Sequence, residues 1–161
     1  MKQLCIIRHA KSDWSMHLPD VERPLNERGR RQAVELAKFL EENKLYPDKI
    51  ITSKAVRTQQ TAILIANEIA FPIQEIQAET SLYLATPDNL MQAVWSTPDE
   101  VEVLYLIAHN PGVTDFSCLL TGEYKTFKTS GMTHVVFPRL NHWEDVQEQT
   151  GILTTSYRIE G

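Results

Sequence analysis

The stretch Ile6-Ile7-Arg8-His9 constrains this chain more than any other. The apolar run Gln3-Leu4-Cys5-Ile6-Ile7-Arg8 stops abruptly at a cation and an imidazole. The run is continuously apolar rather than strictly alternating, which suits a strand covered on both faces. Such a strand needs layers on two sides and therefore predicts helices alternating with strands.

The rest of the chain supplies that alternation. Asn26 is a plausible N-cap for a helix over 27–42, with Ala33, Leu36, Ala37 and Leu40 on one face and Glu27 complementing the helix dipole. Tyr46-Pro47-Asp48 breaks it, and Lys49-Ile50-Ile51-Thr52 reads as a second strand. Ser53 is placed to cap a second helix to about Ile69, buried through Ala62, Ile65, Ala66 and Ile69. Ile73 to Ile76 reads as a short edge strand, and Asp88 to Val94 as a short helix behind Pro87. Glu102 to Ala108 is the most apolar strand. Asn110-Pro111 then offers an N-cap and a first-position proline for a helix ending at Thr121-Gly122. Thr133 to Phe137 and Ile152 to Ile159 read as final strands. The pattern predicts an α/β fold with a largely parallel sheet, helices on both faces, and one domain over 1–161.

Composition excludes several functions. The net charge is -5 and the pI near 5.5, so bulk attraction to nucleic acid or an anionic membrane is not expected. An anion site must then be local. Cys5 and Cys118 lie in apolar runs without a C-x-x-C partner, which suits buried packing rather than a disulfide or zinc site. The start of the chain has no cleavage-site pattern and no apolar run reaches spanning length, so a cytoplasmic location is expected.

Three strands share one arrangement at their ends. His9 follows the first, Ser53 the second with Arg57 one helical turn on, and His109 follows the central apolar strand. In open parallel sheets the ligand crevice lies at the carboxyl ends of the strands, so these residues point to one edge. Arg8, His9, Arg57 and His109 gathered there suit a phosphate. Guanidinium forks match phosphate oxygens, and a phosphoryl group in flight spreads charge over several oxygens that need donors together. One imidazole can be a neutral nucleophile and the other a protonated donor. No His, Asp or Glu set has metal-ligand spacing, so neither a metal nor another cofactor is expected.

These residues resemble the histidine phosphatase (phosphoglycerate-mutase-like) superfamily. The match rests on Arg8-His9, on Ser53-x-x-x-Arg57-Thr58-x-x-Thr61 and on the late His109. Arg8-His9-Ala10-Lys11-Ser12-x-Trp14, Arg23-Pro24-Leu25-Asn26-x-Arg28-Gly29 and Leu82-Tyr83 resemble its short SixA-like phosphohistidine phosphatases. The resemblance runs from residue 4 to about 137 and implies a three-layer α/β/α sandwich with a mostly parallel sheet. It implies that His9 carries a covalent phosphohistidine, that Arg8, Arg57 and His109 form the phosphate pocket, and that Ser53 is the cap that positions Arg57 or else also touches the site. Ala10 replaces the glycine common after Arg-His, a variant shared by many SixA-like members. Larger members carry an acidic proton donor in an inserted segment. Here Glu79 is the candidate acid, with Asp13 second.

A missing acid would favour phosphohistidine, whose imidazole leaving group is readily protonated near neutral pH, over a phosphoester. The expected partner is thus a phosphohistidine-containing signalling or phosphotransfer protein, or else a small phosphorylated substrate of a phosphomonoesterase. A non-catalytic phosphate-binding module is the third reading. The chain is expected to be monomeric. Lys11, Trp14 and His17 are rim candidates, with a packing anchor the other reading of Trp14, and Arg28, Arg30 and Arg31 form a solvated face or a docking patch for an acidic protein.

Overall fold

The computed structural model describes residues 1–160. Its six strands are β1 (Lys2–Arg8), β2 (Lys49–Ser53), β3 (Gln77–Glu79), β4 (Val103–Ala108), β5 (Thr126–Phe137) and β6 (Ile152–Glu160). The helices are α1 (Glu27–Glu42), α2 (Val56–Ile69), α3 (Pro87–Trp95) and α4 (Gly112–Thr121). They build one sheet in the order β3-β2-β4-β1-β5-β6. The pairs β1–β4, β4–β2 and β2–β3 are parallel, while β5 runs antiparallel to both β1 and β6. Five strands thus share one direction and β5 alone is reversed.

Alternation along β1 and β4 divides the core in two. Leu4, Ile6, Leu104, Leu106 and Ala108 meet Leu90, Val94, Val113, Phe116 and Leu120 of α3 and α4. Cys5, Ile7, Tyr105 and Ile107 meet Leu36, Ala37, Leu40, Ala62, Ile65 and Ala66 of α1 and α2. The expected three-layer α/β/α sandwich is present. Burying each such Leu or Ile contributes about 1.5–3 kcal/mol, so truncating the central Ile6 to Ala would cost roughly 2–5 kcal/mol.

This winding places the site. The chain leaving β1 enters α1 on one face, and the chain leaving the adjacent β4 enters α4 on the other. Where neighbouring connections diverge, a crevice opens at the strand ends. His9 and His109 stand at that point.

Several local expectations shift. Residues 73–76 do not form a strand: Ile73–Glu75 is a 3-10 turn behind Pro72, and the edge strand is Gln77–Glu79. Ser53 does not cap α2. It remains in β2, the cap position falls on Ala55, and the Ser53 hydroxyl serves another purpose below. Pro111, not Asn110, is the N-cap of α4, because the Asn110 side chain is engaged with Thr114 Oγ1 at 2.7 Å and the Phe127 carbonyl at 3.0 Å. Cys118 is half-buried rather than buried, whereas Cys5 is fully enclosed. The antiparallel neighbour of β1, β5, begins at Thr126, well before the predicted Thr133. Its pairing with β6 jumps between Phe127 and Met132, so residues 128–131 bulge out of register. Bulges of this kind re-aim backbone groups beside functional sites.

Candidate active site

The backbone after β1 is pinned from four sides. His9 N donates to Ala108 O of β4 at 3.2 Å, and His9 O accepts from Ser130 N in the β5 bulge at 3.0 Å. Ala10 N donates to Thr61 Oγ1 of α2, and Lys11 N to Gln32 Oε1 of α1, both at 3.0 Å. Helix α1 closes tightly on this loop. A Cβ at Gly29 would lie 1.9 Å from Lys11 O, so only glycine fits there.

Four predicted site residues come together. His9, Arg57 and His109 are buried, Arg8 is half-buried, and the two imidazole centroids are 5.3 Å apart. Arg8 Nη1 donates to Phe127 O at 3.0 Å, which fixes its side chain against the bulged strand. Arg57 Nη2 lies 3.4 Å from His109 Nδ1. Arg8 Nε and Arg57 Nε are both buried without an acceptor among the described residues. Leaving a buried donor unpaired costs about 1–3 kcal/mol, more when it is charged. A tetrahedral oxyanion carries the kind of acceptors these two donors lack.

The hydrogen bonds assign the nitrogens. His9 Nδ1 lies 2.7 Å from Ala10 O, which only accepts, so Nδ1 carries the proton and Nε2 keeps its lone pair. Burial, followed by the charges of His109, Arg57 and Arg8, pushes the His9 pKa down to about 3, against the opposing pull of the Ala10 carbonyl. A neutral imidazole with a free Nε2 is a competent nucleophile.

His109 is held the other way round. Its Nε2 lies 2.7 Å from Ser53 Oγ, itself 2.7 Å from Thr58 Oγ1. The Thr58 hydroxyl faces the carbonyls of Ser53 and Ala55 at 3.0 and 2.9 Å and gives its one proton there. Ser53 then donates to Thr58 and accepts from His109 Nε2–H, leaving Nδ1 as the acceptor facing Arg57. Burial and then the Arg57 charge push the His109 pKa down to about 4. Burial also lowers that of Arg8.

Glu79 is not brought to this cluster. It ends β3 and lines a separate groove with Lys49, Ile51, Gln77 and Gln92, where Gln77 Nε2 donates to its carboxylate. Asp13 accepts from Ser15 instead, at the surface. The carboxylate that does join is Asp20, on the 3-10 turn Asp20–Glu22, and sequence reasoning missed it. Asp20 O accepts from Arg57 Nη1 at 2.7 Å and Asp20 Oδ2 from Arg57 Nη2 at 3.0 Å. Tyr83 Oη also donates to Oδ2, and Arg23 Nη2 reaches Oδ1 at 2.9 Å. These donors, Tyr83 first, hold the carboxyl far below the usual range. Tyr83 meets His109 edge-on at 5.6 Å. The signal available in sequence was Asp20-x-x-Arg23, an acid three residues before a motif arginine.

The rim candidates separate. Trp14 is 72% exposed with the Arg23 guanidinium stacked 3.6 Å from its ring, so it is a surface residue rather than a packing anchor. Lys11 and His17 are exposed on the same loop. Arg28 and Arg31 line a shallow depression with Arg158 and Glu35. Among the described residues there is no group of three or more His, Cys, Asp or Glu able to hold a metal, and no helix long and apolar enough to cross a membrane.

Comparison with known proteins places this architecture. Residues 4–81 match the family model of the histidine phosphatase superfamily (branch 1). An uncharacterized protein of Mycobacterium leprae is 30% identical over 121 residues, covering 73% of this chain and 72% of that one. The structure of the protein histidine phosphatase SixA complexed with tungstate has a TM-score of 0.82 at 20% identity, covering 97% of this chain and 96% of that one. The mycobacterial glucosyl-3-phosphoglycerate phosphatase is more distant, at TM-score 0.70 and 16% identity with 100% of both chains covered. The chain belongs to the histidine phosphatase superfamily, and its fold is that of the SixA structures. At this level it is a phosphatase-type hydrolase.

Proposed function

We propose that the protein removes the phosphoryl group from phosphohistidine on a signalling or phosphotransfer protein, through a covalent phosphohistidine on His9 and without a metal. His9 Nε2 attacks phosphorus while the bond to the substrate imidazole breaks. Arg8, Arg57 and His109 balance the charge on the phosphoryl oxygens. A dianion beside His109 reverses the balance that keeps it neutral, so Nδ1 takes up a proton and becomes a donor. Water then attacks phosphorus, the P–Nε2 bond breaks, and its electron pair returns to His9 as inorganic phosphate leaves.

The state of Asp20 carries the choice of substrate. Expelling an alkoxide requires an acid to deliver a proton, with roughly 10²–10⁴-fold in rate at stake. The carboxylate bonded into this cluster is fully engaged by Tyr83, Arg23 and Arg57 and held ionised, while Glu79 lies in another groove. An imidazole leaving group brings its own proton near neutrality. The fold shared with SixA supports the same reading. Free thiols at Cys5 and Cys118 suit a reducing compartment, and the proposal takes the enzyme as a cytoplasmic monomer of one domain.

The test is a substrate panel at matched concentration: a phosphohistidine protein, a phosphoserine protein and sugar phosphates. A kcat/KM at least 100-fold higher on phosphohistidine is expected. Equal rates on phosphoserine, or a preference for a sugar phosphate, would overturn the substrate assignment.

A further inference from the structure

The arrangement around Arg57 has a part that the phosphate pocket does not require. A guanidinium has two donor forks, an end-on pair from Nη1 and Nη2 and a side-on pair from Nε and Nη2. Asp20 takes the whole end-on fork of Arg57, accepting from Nη1 through its backbone carbonyl at 2.7 Å and from Nη2 through Oδ2 at 3.0 Å. The side-on fork is left over. Its Nε is buried without a partner among the described residues, and its Nη2 borders His109 Nδ1 at 3.4 Å.

Asp20 is itself held rigidly. Arg23 grips Oδ1 from Nη2 at 2.9 Å and Nε at 3.3 Å, and Tyr83 Oη donates to Oδ2. Arg23 Nη1 donates to Ser12 Oγ while its guanidinium plane lies on Trp14. Every oxygen of Asp20 therefore has a donor, and none needs substrate.

We infer that Asp20 is a positioning residue for the phosphatase reaction: it clamps the end-on fork of Arg57 so that the side-on fork faces the phosphoryl group. The inference rests on the phosphatase reading and adds a residue acting through Arg57. A second arrangement uses the same contacts differently, with Asp20 as an internal anion that plugs the pocket and must be displaced. The two forks decide between them. A phosphoryl group can bind Nε–H and the second Nη2 hydrogen with Asp20 still in place, so nothing has to leave. Without the clamp the Arg57 side chain can swing, and small misplacements of a catalytic group cost on the order of 100-fold.

Tungstate affinity and kcat/KM on a phosphohistidine protein are measured for wild type, Asp20→Asn, Asp20→Ala, Arg57→Lys and Asp20→Ala/Arg57→Lys. Thermal melts establish that each variant is folded. Asp20→Ala is expected to lower kcat/KM by about 10- to 100-fold and to weaken tungstate binding. Asp20→Asn is expected to recover most of both, because its amide oxygen still accepts from Nη2. Lysine has no fork to orient, so Asp20→Ala in the Arg57→Lys background should change kcat/KM less than about twofold, a non-additivity expected only of coupled residues. Tighter tungstate binding in Asp20→Ala would mean a plug and overturn the inference. An equal loss in both backgrounds would mean a general structural role and overturn it as well. Should wild type turn over no phosphorylated substrate, the phosphatase reading fails, and the tungstate cycle alone still decides the role of Asp20.

Discussion

His9 and His109 end neighbouring parallel strands, are both buried, and are both held neutral, yet they are tied by opposite nitrogens. His9 is tied at Nδ1 by the carbonyl of the next residue, a contact made within its own loop. His109 is tied at Nε2 by Ser53 on a different strand, which depends on Thr58 of α2. The first arrangement leaves Nε2 free to form a bond. The second leaves Nδ1 beside Arg57, where burial and the guanidinium charge keep it unprotonated near neutral pH. The sequence position of the two residues is equivalent, and their chemistry is separated by second partners.

The largest break in this comparison comes from removing the nucleophile. His9→Ala should lower kcat more than about a thousandfold, because no second group replaces the covalent step. Steady-state turnover of a phosphohistidine protein measures it. Arg57→Ala comes next, at roughly 10²–10³-fold in kcat/KM, the usual loss of one charge-stabilising donor in a closed site. Its tungstate affinity should fall in parallel.

Ser53→Ala tests the His109 side alone. About 1.5 kcal/mol of orientation, or roughly tenfold in kcat, should be lost, with His9 untouched. Nitrogen NMR shifts should show His109 moving from the single Nε2–H tautomer to a mixture. A retained single tautomer would contradict the proton assignment made through Thr58.

The smallest effect is a pH dependence of stability. An unfolded histidine takes a proton near pH 6.5, whereas folded His109 and His9 wait until about 4 and 3. The unfolded state thus binds more protons as pH falls, so the histidine contribution to stability is fully present above about 6.5 and declines toward 3, and the depressed Asp20 carboxyl carries the decline further below the usual carboxylate range. Denaturant unfolding of His109→Asn should show a slope shallower by up to one proton over that range. Saturating tungstate should flatten the wild-type slope by favouring protonated His109.

Much of this was legible in sequence because it is local. Apolar runs ending in Arg8-His9 and at His109 placed two strand ends, and the helical faces of α1 and α2 followed from spacing. The Asn26 cap is real, with its side chain accepting from Gly29 N at 2.8 Å. What escaped depends on tertiary pairing. Ser53 reads first as a cap and second as a residue touching the site, and its partner, His109, appears only when β2 and β4 lie side by side. Asp20 and Tyr83 sit 63 residues apart and meet over Arg57. The interrupted strand β5 hid behind Thr129-Ser130-Gly131, where Ser130 in the bulge holds His9 and Phe127 just before it holds Arg8. Glu79 had the right residue type near a motif, and the pleat of β3 turns it into another groove.

The central claim is that His9 Nε2 accepts the phosphoryl group. Rapid acid-free quenching of the enzyme mixed with labelled phosphohistidine protein tests it most directly. Label is expected on the enzyme that is acid-labile and base-stable, maps to His9, persists in chelator and disappears in His9→Ala. Full turnover by His9→Ala, or label on any other residue, would contradict it.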